Sequence, residues 1–159
     1  MTASVRRIGA VAALAAVLAT SACGLRIPED PDGTLDAVVA AGVLAVGASD
    51  EPGLVEVDAG AATGPLADVV ERFADGIGVG VTWTEGSEET LVGMLETGDV
   101  DIAVGGFTDA SPWIDRAGLT RGYPDLPGAV GRPVVLLVPL GENRLLAALE
   151  AHLDAEAGG

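Results

Sequence analysis

The 159-residue chain carries 24 Asp and Glu against 8 Arg, with no Lys and one His, for a formal net charge of −16 at pH 7. That length predicts one folded domain, and the acidity excludes nucleic acid as a partner, because a surplus of that size repels phosphate backbones. Hydrophobic residues at 49% with dispersed charges exclude disorder, 3% aromatics leave the core to Val, Leu, Ala and Ile, and one Cys excludes an internal disulfide.

The chain opens with Arg6 and Arg7, then an apolar run over residues 8–19 broken only by Gly9, then Thr20, Ser21, Ala22 and Cys23. Twelve apolar residues cannot span a bilayer as a helix, which takes roughly 20. Residues 1–22 read instead as a secretory signal. From Cys23 onward 6 Arg face 24 acidic residues, a net −18. The placement of Cys23 resembles a bacterial lipobox, although Thr20 stands where Leu is more usual. In such signals the cysteine is acylated, with palmitate among the chains, and becomes the new N-terminus. The alternative is a plain secreted protein in which Cys23 is incidental. A multiply acylated Cys23 would hold the protein on the extracytoplasmic face of the cell membrane. Residues 23–33 then form a tether rich in Pro and acid, and residues 34–159 form the folded part.

From Thr34 the pattern alternates between helix and strand. Thr34 is placed to cap a short helix with Leu35, Val38 and Val39 on one face and Gly42 as its stop. Residues 43–47 are a brief apolar strand, and residues 53–60 a ragged strand or loop around Leu54, Val55 and Val57. A helix opens at Gly64-Pro65, with Leu66, Val69, Val70, Phe73 and Ile77 on one stripe. Residues 79–83 alternate as a half-buried strand. Ser87 caps a third helix, with Glu88 and Glu89 in its first turn, Leu91, Met94 and Leu95 inside, and Gly98 as its end. Residues 100–104 form another strand, and residues 134–138 a run that fits a strand covered on both faces. The last helix, about residues 142–155, buries Leu146, Leu149 and Leu153.

Strands alternating with amphipathic helices imply an α/β fold, a mostly parallel sheet flanked by helices. Ligands of such sheets sit beyond the carboxyl ends of the strands. That rule singles out Ser49 and Asp50 after the first strand, and Gly105, Gly106 and Thr108 after the strand at 100–104. Successive glycine N–H groups there suit an anion or a carbonyl, although a Gly-Gly pair after a strand is also the composition of an ordinary turn. His152 falls on the polar side of the last helix and reads as a solvated residue. Asp99 and Asp101 flank a strand and read as solvent-facing or capping residues. There is no Cys/His cluster for zinc, no calcium loop, no Walker-type loop and no histidine placed beside a serine. No catalytic residue, metal or cofactor is expected.

Four stretches, in order, resemble the first lobe of bacterial extracellular solute-binding proteins of family 3, which feed ABC importers. They are residues 33–47 (GTLDAVVAAGVLAVG), 64–75 (GPLADVVERFAD), 95–108 (LETGDVDIAVGGFT) and 119–123 (LTRGY). The resemblance spans about residues 34–123 and implies a single periplasmic-binding-protein-like lobe of type II. It also implies a small polar solute at the carboxyl-end residues and an ABC permease as partner. Two departures stand out. In amino-acid binders of that family an Arg shortly after the position of Thr108 clamps the ligand carboxylate, and Trp113 stands in its place here. Trp113 either presents its face to an apolar or cationic ligand or packs as a core residue. Moreover, residues 124–133 are far too few for a second lobe, while residues 138–146 (VPLGENRLL) resemble the segment that returns to the first. A lone lobe cannot close around a solute, so weak binding is expected, or a site completed by a partner chain or a second copy in a homodimer. The resulting readings are a membrane-anchored solute-binding lipoprotein, an envelope interaction protein that uses the lobe as a protein-binding module, and, least supported, an enzyme.

Overall fold

The computed structural model describes residues 30–158; the signal and Cys23 lie outside them. Four helices are present among these residues: α1 (Thr34–Ala41), α2 (Pro65–Ile77), α3 (Glu88–Thr97) and α4 (Asn143–Ala157). The strands are β1 (Val43–Ala48), β2 (Glu56–Asp58), β3 (Ala61–Thr63), β4 (Gly80–Glu85), β5 (Ile102–Val104), β6 (Ala117–Leu119) and β7 (Leu137–Pro139), with a 3₁₀ turn at Pro112–Asp115. Five strands make one sheet in the order β4-β1-β5-β7-β6, and β2 and β3 pair as a separate antiparallel ribbon. Strand β1 runs parallel to β4 and β5, whereas β7 runs antiparallel to both β5 and β6. Four strands therefore point one way, as the alternation predicts, and β7 alone points back.

The apolar run at residues 134–138 explains how β7 lies inside the sheet. Val134, Leu136 and Val138 join the core beneath α1, α2 and α4, while Val135 and Leu137 join the core beneath α3. A strand covered on both faces needs apolar residues at every position. The α3 side is the thinner layer. Gly47 lies so close to α3 that a Cβ there would sit 2.6 Å from Leu91 Cδ2.

Helix α2 forms as its stripe predicts, with Leu66, Val69, Val70 and Phe73 buried and Ile77 at the margin. Ser87 caps α3 by accepting the Thr90 N–H at 3.3 Å. Several expectations need correction. Thr34 does not cap α1, because the buried carboxylate of Glu142 does so from across the chain. Its two oxygens accept the N–H groups of Asp32 (2.9 Å) and Thr34 (2.7 Å). Glu142 accordingly precedes α4 rather than opening it, and the buried stripe of α4 is Leu145, Leu149 and Leu153, with Leu146 only partly covered. Val39 is half exposed. His152 is not a solvated residue either: Nε2 lies 3.0 Å from the Val69 carbonyl oxygen and the ring packs on Phe73 between α2 and α4. Asp101 caps as expected, accepting the Ala45 N–H at 2.8 Å, and burial pushes its carboxyl up. Asp99 accepts the Thr97 hydroxyl at 2.6 Å.

Between β6 and β7, residues 120–133 form a closed loop. The Tyr123 N–H donates to the Val134 carbonyl (2.8 Å) and the Gly131 N–H to the Pro124 carbonyl (3.1 Å). Leu126 and Ala129 are buried beneath it. Gly128 has φ 82°, and a Cβ there would lie 2.7 Å from the Gly53 carbonyl oxygen, so glycine is required on two counts. Beside it Val130, with φ 52°, is 92% exposed.

All five described arginines are ion-paired: Arg72 with Glu156, Arg116 with Glu96, Arg121 with Asp154, Arg132 with Glu51 and Arg144 with Asp36. Exposed pairs contribute little individually, so they stitch elements together rather than supply the bulk of stability. Their guanidinium groups hold the carboxyls of Asp36, Glu96, Asp154 and Glu156 below the usual range. That contribution is present at neutral pH and is lost as pH falls through the lowered values.

Two outcomes follow from these contacts. Replacing Glu142 by Ala leaves two N–H groups without their acceptor and should cost about 2 kcal/mol or more in urea unfolding, with Glu142→Gln costing less. Burial of the Tyr123 ring, together with the hydrogen bond from its hydroxyl to Asp154, pushes its ionisation up from 10.0 to about 12. A raised folded value means that this stabilisation is full below pH 10 and disappears as pH rises to 12. Tyr123 is the only tyrosine, so ultraviolet titration of the folded and unfolded chain reads the shift directly, and Tyr123→Phe should abolish the alkaline loss.

Candidate functional site

The carboxyl ends of β1, β4, β5 and β6 lie along one edge of the sheet, and the reversal of β7 brings Arg132 and Pro133, which precede it, to that same edge. The Ser49 N–H donates to the Val104 carbonyl at 3.0 Å, drawing the segment after β1 across the end of β5. Gly105 follows directly, and a Cβ there would lie 2.9 Å from the Ser49 carbonyl oxygen. At Gly106 a Cβ would lie 2.6 Å from Glu51 Oε2. The glycine pair thus does two things: the first lets two strands' ends approach, and the second leaves room for a carboxylate.

Glu51 is positioned by its own tight turn, its N–H donating to the Val55 carbonyl (2.8 Å) and its carbonyl accepting from Leu54 and Val55 (3.0 Å each). The Glu51 side chain crosses to Arg132, with Nη1 donating to Oε1 at 2.6 Å, and the two side chains are 30% and 43% exposed. Arg132 is held by the closed loop, its N–H donating to the Ala129 carbonyl at 3.0 Å.

Of the residues singled out from sequence, Ser49, Gly105 and Gly106 come together with Glu51 and Arg132. Thr108 continues from them and bridges to Val134. Asp50 turns away, its Oδ1 accepting the Val57 N–H at 2.8 Å. It lines an open depression of about 510 Å³ with Pro52, Glu56, Asp58, Ala61 and Thr63, which Gly105, Gly106 and Thr108 do not line. Trp113 lies along α3: its indole N–H reaches Glu88 at 3.4 Å, its body packs on the α3 core, and Arg116 lies 5.5 Å over its ring. A ring face free for a cationic ligand is thus taken on one side by the chain's own guanidinium. Glu51 and Arg132 were not singled out from sequence. The available signal was an arginine placed two residues before the apolar run at residues 134–138 in a Lys-free chain.

Among the described residues, no group of three or more His, Cys, Asp or Glu is placed to hold a metal ion, and no helix is long and apolar enough to cross a membrane. No protein-family model matches the sequence, and no curated protein does. Solved structures do. The arginine-bound form of domain 1 from TmArgBP superposes with TM-score 0.65 at 24% identity, covering 76% of this chain and 98% of that one. This is the fold of a single solute-binding lobe. An amino acid ABC transporter substrate-binding protein from Streptococcus pneumoniae, bound to L-arginine, matches with TM-score 0.64 at 13% identity over 77% of this chain and 91% of that one. An ancestral cyclohexadienyl dehydratase matches with TM-score 0.51 at 31% identity, covering 56% of this chain and 38% of that one. The lobe resemblance read from residues 34–123 is therefore borne out at the level of fold, and the neighbours include an enzyme as well as binding proteins.

The two glycines predict unequal costs. Gly105→Ala drives a methyl into the Ser49 backbone, which cannot yield, and should destabilise by about 1–3 kcal/mol in chemical denaturation. Gly106→Ala meets only the end of the Glu51 side chain, so it should cost less than about 1 kcal/mol while parting Glu51 from Arg132.

Proposed function

We propose that the protein is a membrane-anchored extracytoplasmic solute-binding lipoprotein that presents a small polar solute to an ABC-type permease from the carboxyl-end edge of one lobe. The observation that carries this reading is the meeting of Ser49, Gly105, Gly106 and Arg132 at the strand ends of a fold shared with amino-acid binding proteins. A ligand there would meet backbone N–H groups, a guanidinium and, at Thr108, a hydroxyl. That arrangement suits a polar solute with an acceptor group. The TmArgBP neighbour is described as an arginine-bound form of domain 1, which supports ligand retention by a lobe without its second half and weighs against the expectation that one lobe alone must bind weakly.

The closed loop at residues 120–133 supports a lobe that has lost, or never carried, an inserted second domain, since it joins β6 to β7 in place of one. In this reading residues 1–22 are removed, Cys23 carries the lipid, and residues 23–33 tether the lobe. Glu142 holds the end of that tether at Asp32, beside Asp101 and Pro139, at the edge opposite the candidate site. The arginine-bound neighbours favour reading the protein as a binder rather than an enzyme. The second reading, a module that contacts another envelope protein or a second copy, is favoured by one observation: Val130, at the tip of the loop, is 92% exposed.

A thermal-shift screen of residues 24–159 against amino acids, amines and sugars tests the binding role. A ligand at a hundred times its dissociation constant should add about 2.7 kcal/mol. A cooperative transition that no solute moves would remove the solute reading and leave the interaction module. In cells, Cys23→Ser should abolish palmitate labelling and release the protein from the membrane fraction.

A further inference from the structure

We infer that Glu51 is an internal stand-in for a ligand carboxylate and that Arg132, freed from it, is the residue that receives the ligand. This rests on the solute-binding reading of the carboxyl-end edge. The argument starts from how the chain uses its arginines. Arg72 and Arg116 each donate through Nε and Nη2 to both oxygens of Glu156 and Glu96. Arg144 engages both oxygens of Asp36, and Arg121 both oxygens of Asp154. Arg132 departs from this pattern. Among the described residues it makes one side-chain hydrogen bond, from Nη1 to Glu51 Oε1, and its remaining guanidinium donors are uncommitted.

A guanidinium presents its donors in a planar fork that matches a carboxylate through two parallel bonds, and such two-pronged pairs are the stronger ones. The one-pronged Glu51 contact therefore leaves binding capacity at Arg132. Glu51 is limited to one prong because its other oxygen is turned over Gly106, in the space a Cβ would occupy. A free ligand has no such constraint and can take the fork squarely, and Glu51, 30% exposed at the open edge, has solvent to turn into.

The surroundings define the ligand class. The edge also carries Asp50, with Glu56 and Asp58 across the adjoining depression, in a chain of net charge −16. Simple anions and dicarboxylates are repelled by such a field. A monocarboxylate that carries its own cationic group is not. Arg132 thus takes the role that the family resemblance would give to an arginine at the position of Trp113, from a different part of the chain.

Calorimetric titration of the wild type, Glu51→Gln and Arg132→Gln with L-arginine and with agmatine, its decarboxylated form, tests this. Removing the internal competitor should tighten L-arginine binding by Glu51→Gln about tenfold, and removing the receptor should weaken it at least about tenfold in Arg132→Gln. Agmatine binding should be unchanged by Arg132→Gln. Both side chains are partly exposed, so the variants should fold, and their melting transitions verify it. L-arginine binding that Arg132→Gln leaves within about twofold, or that Glu51→Gln weakens, overturns the inference while leaving the solute-binding reading standing. Absence of L-arginine binding in all three proteins also overturns the inference, while the solute-binding reading falls only if the thermal-shift screen finds no solute at all.

Discussion

Within the five-stranded sheet β7 runs against the other four strands and fills the gap between β5 and β6, so β6 has no place in that sheet without it. The five-residue apolar run at 134–138 that leads into it contributes alternately to the two cores on either side of the sheet, which ties the thin α3 layer to the thicker layer of α1, α2 and α4. The reversed direction also has a chemical result. A strand parallel to its neighbours would begin at the opposite edge, and the residues before it would be remote from the glycine turn after β5. Because β7 runs backward, Arg132 arrives at that turn instead.

Electrostatics is organised on the same economy. With no lysine, the chain has few cations to place, and each described arginine joins segments far apart in sequence: α2 to α4, the 3₁₀ segment to α3, the end of β6 to α4, the loop before β7 to the turn after β1, and α4 to α1. Exposed pairs of this kind contribute little individually. Their value lies in orientation, since a wrong packing of α4 would strand Arg72, Arg121 and Arg144 among unmatched neighbours while the acidic surplus repels itself.

Much of the fold was legible because its signals are local. The stripe of α2, the Ser87 cap and the glycine stops need only a window of a dozen residues, and residues 134–138 read as a doubly covered strand from composition alone. What escaped was decided by contacts between distant residues. No window around Thr34 contains Glu142, 108 residues away, and nothing in the helix containing His152 announces the Val69 carbonyl. Strand β3, Ala-Ala-Thr, has no pattern to read. At the candidate site the glycine turn and Ser49 were legible from the strand-end rule, whereas Glu51 and Arg132 meet across 81 residues, a pairing that only the reversed strand creates.

The closure of the loop before β7 carries an evolutionary consequence. Tyr123 and Val134 are neighbours across a ladder spacing of about 4.8 Å, joined by a backbone hydrogen bond. Any polypeptide spliced between them therefore starts and finishes at almost the same point, a requirement that folded domains commonly meet because their ends often lie close together at the surface. The entropic cost of lengthening such a connection grows only with the logarithm of its length. The lobe is in effect a socket: the ten-residue span between Tyr123 and Val134 plugs it, and the geometry of its two ends would accept a domain whose termini lie close together without disturbing the order of the sheet.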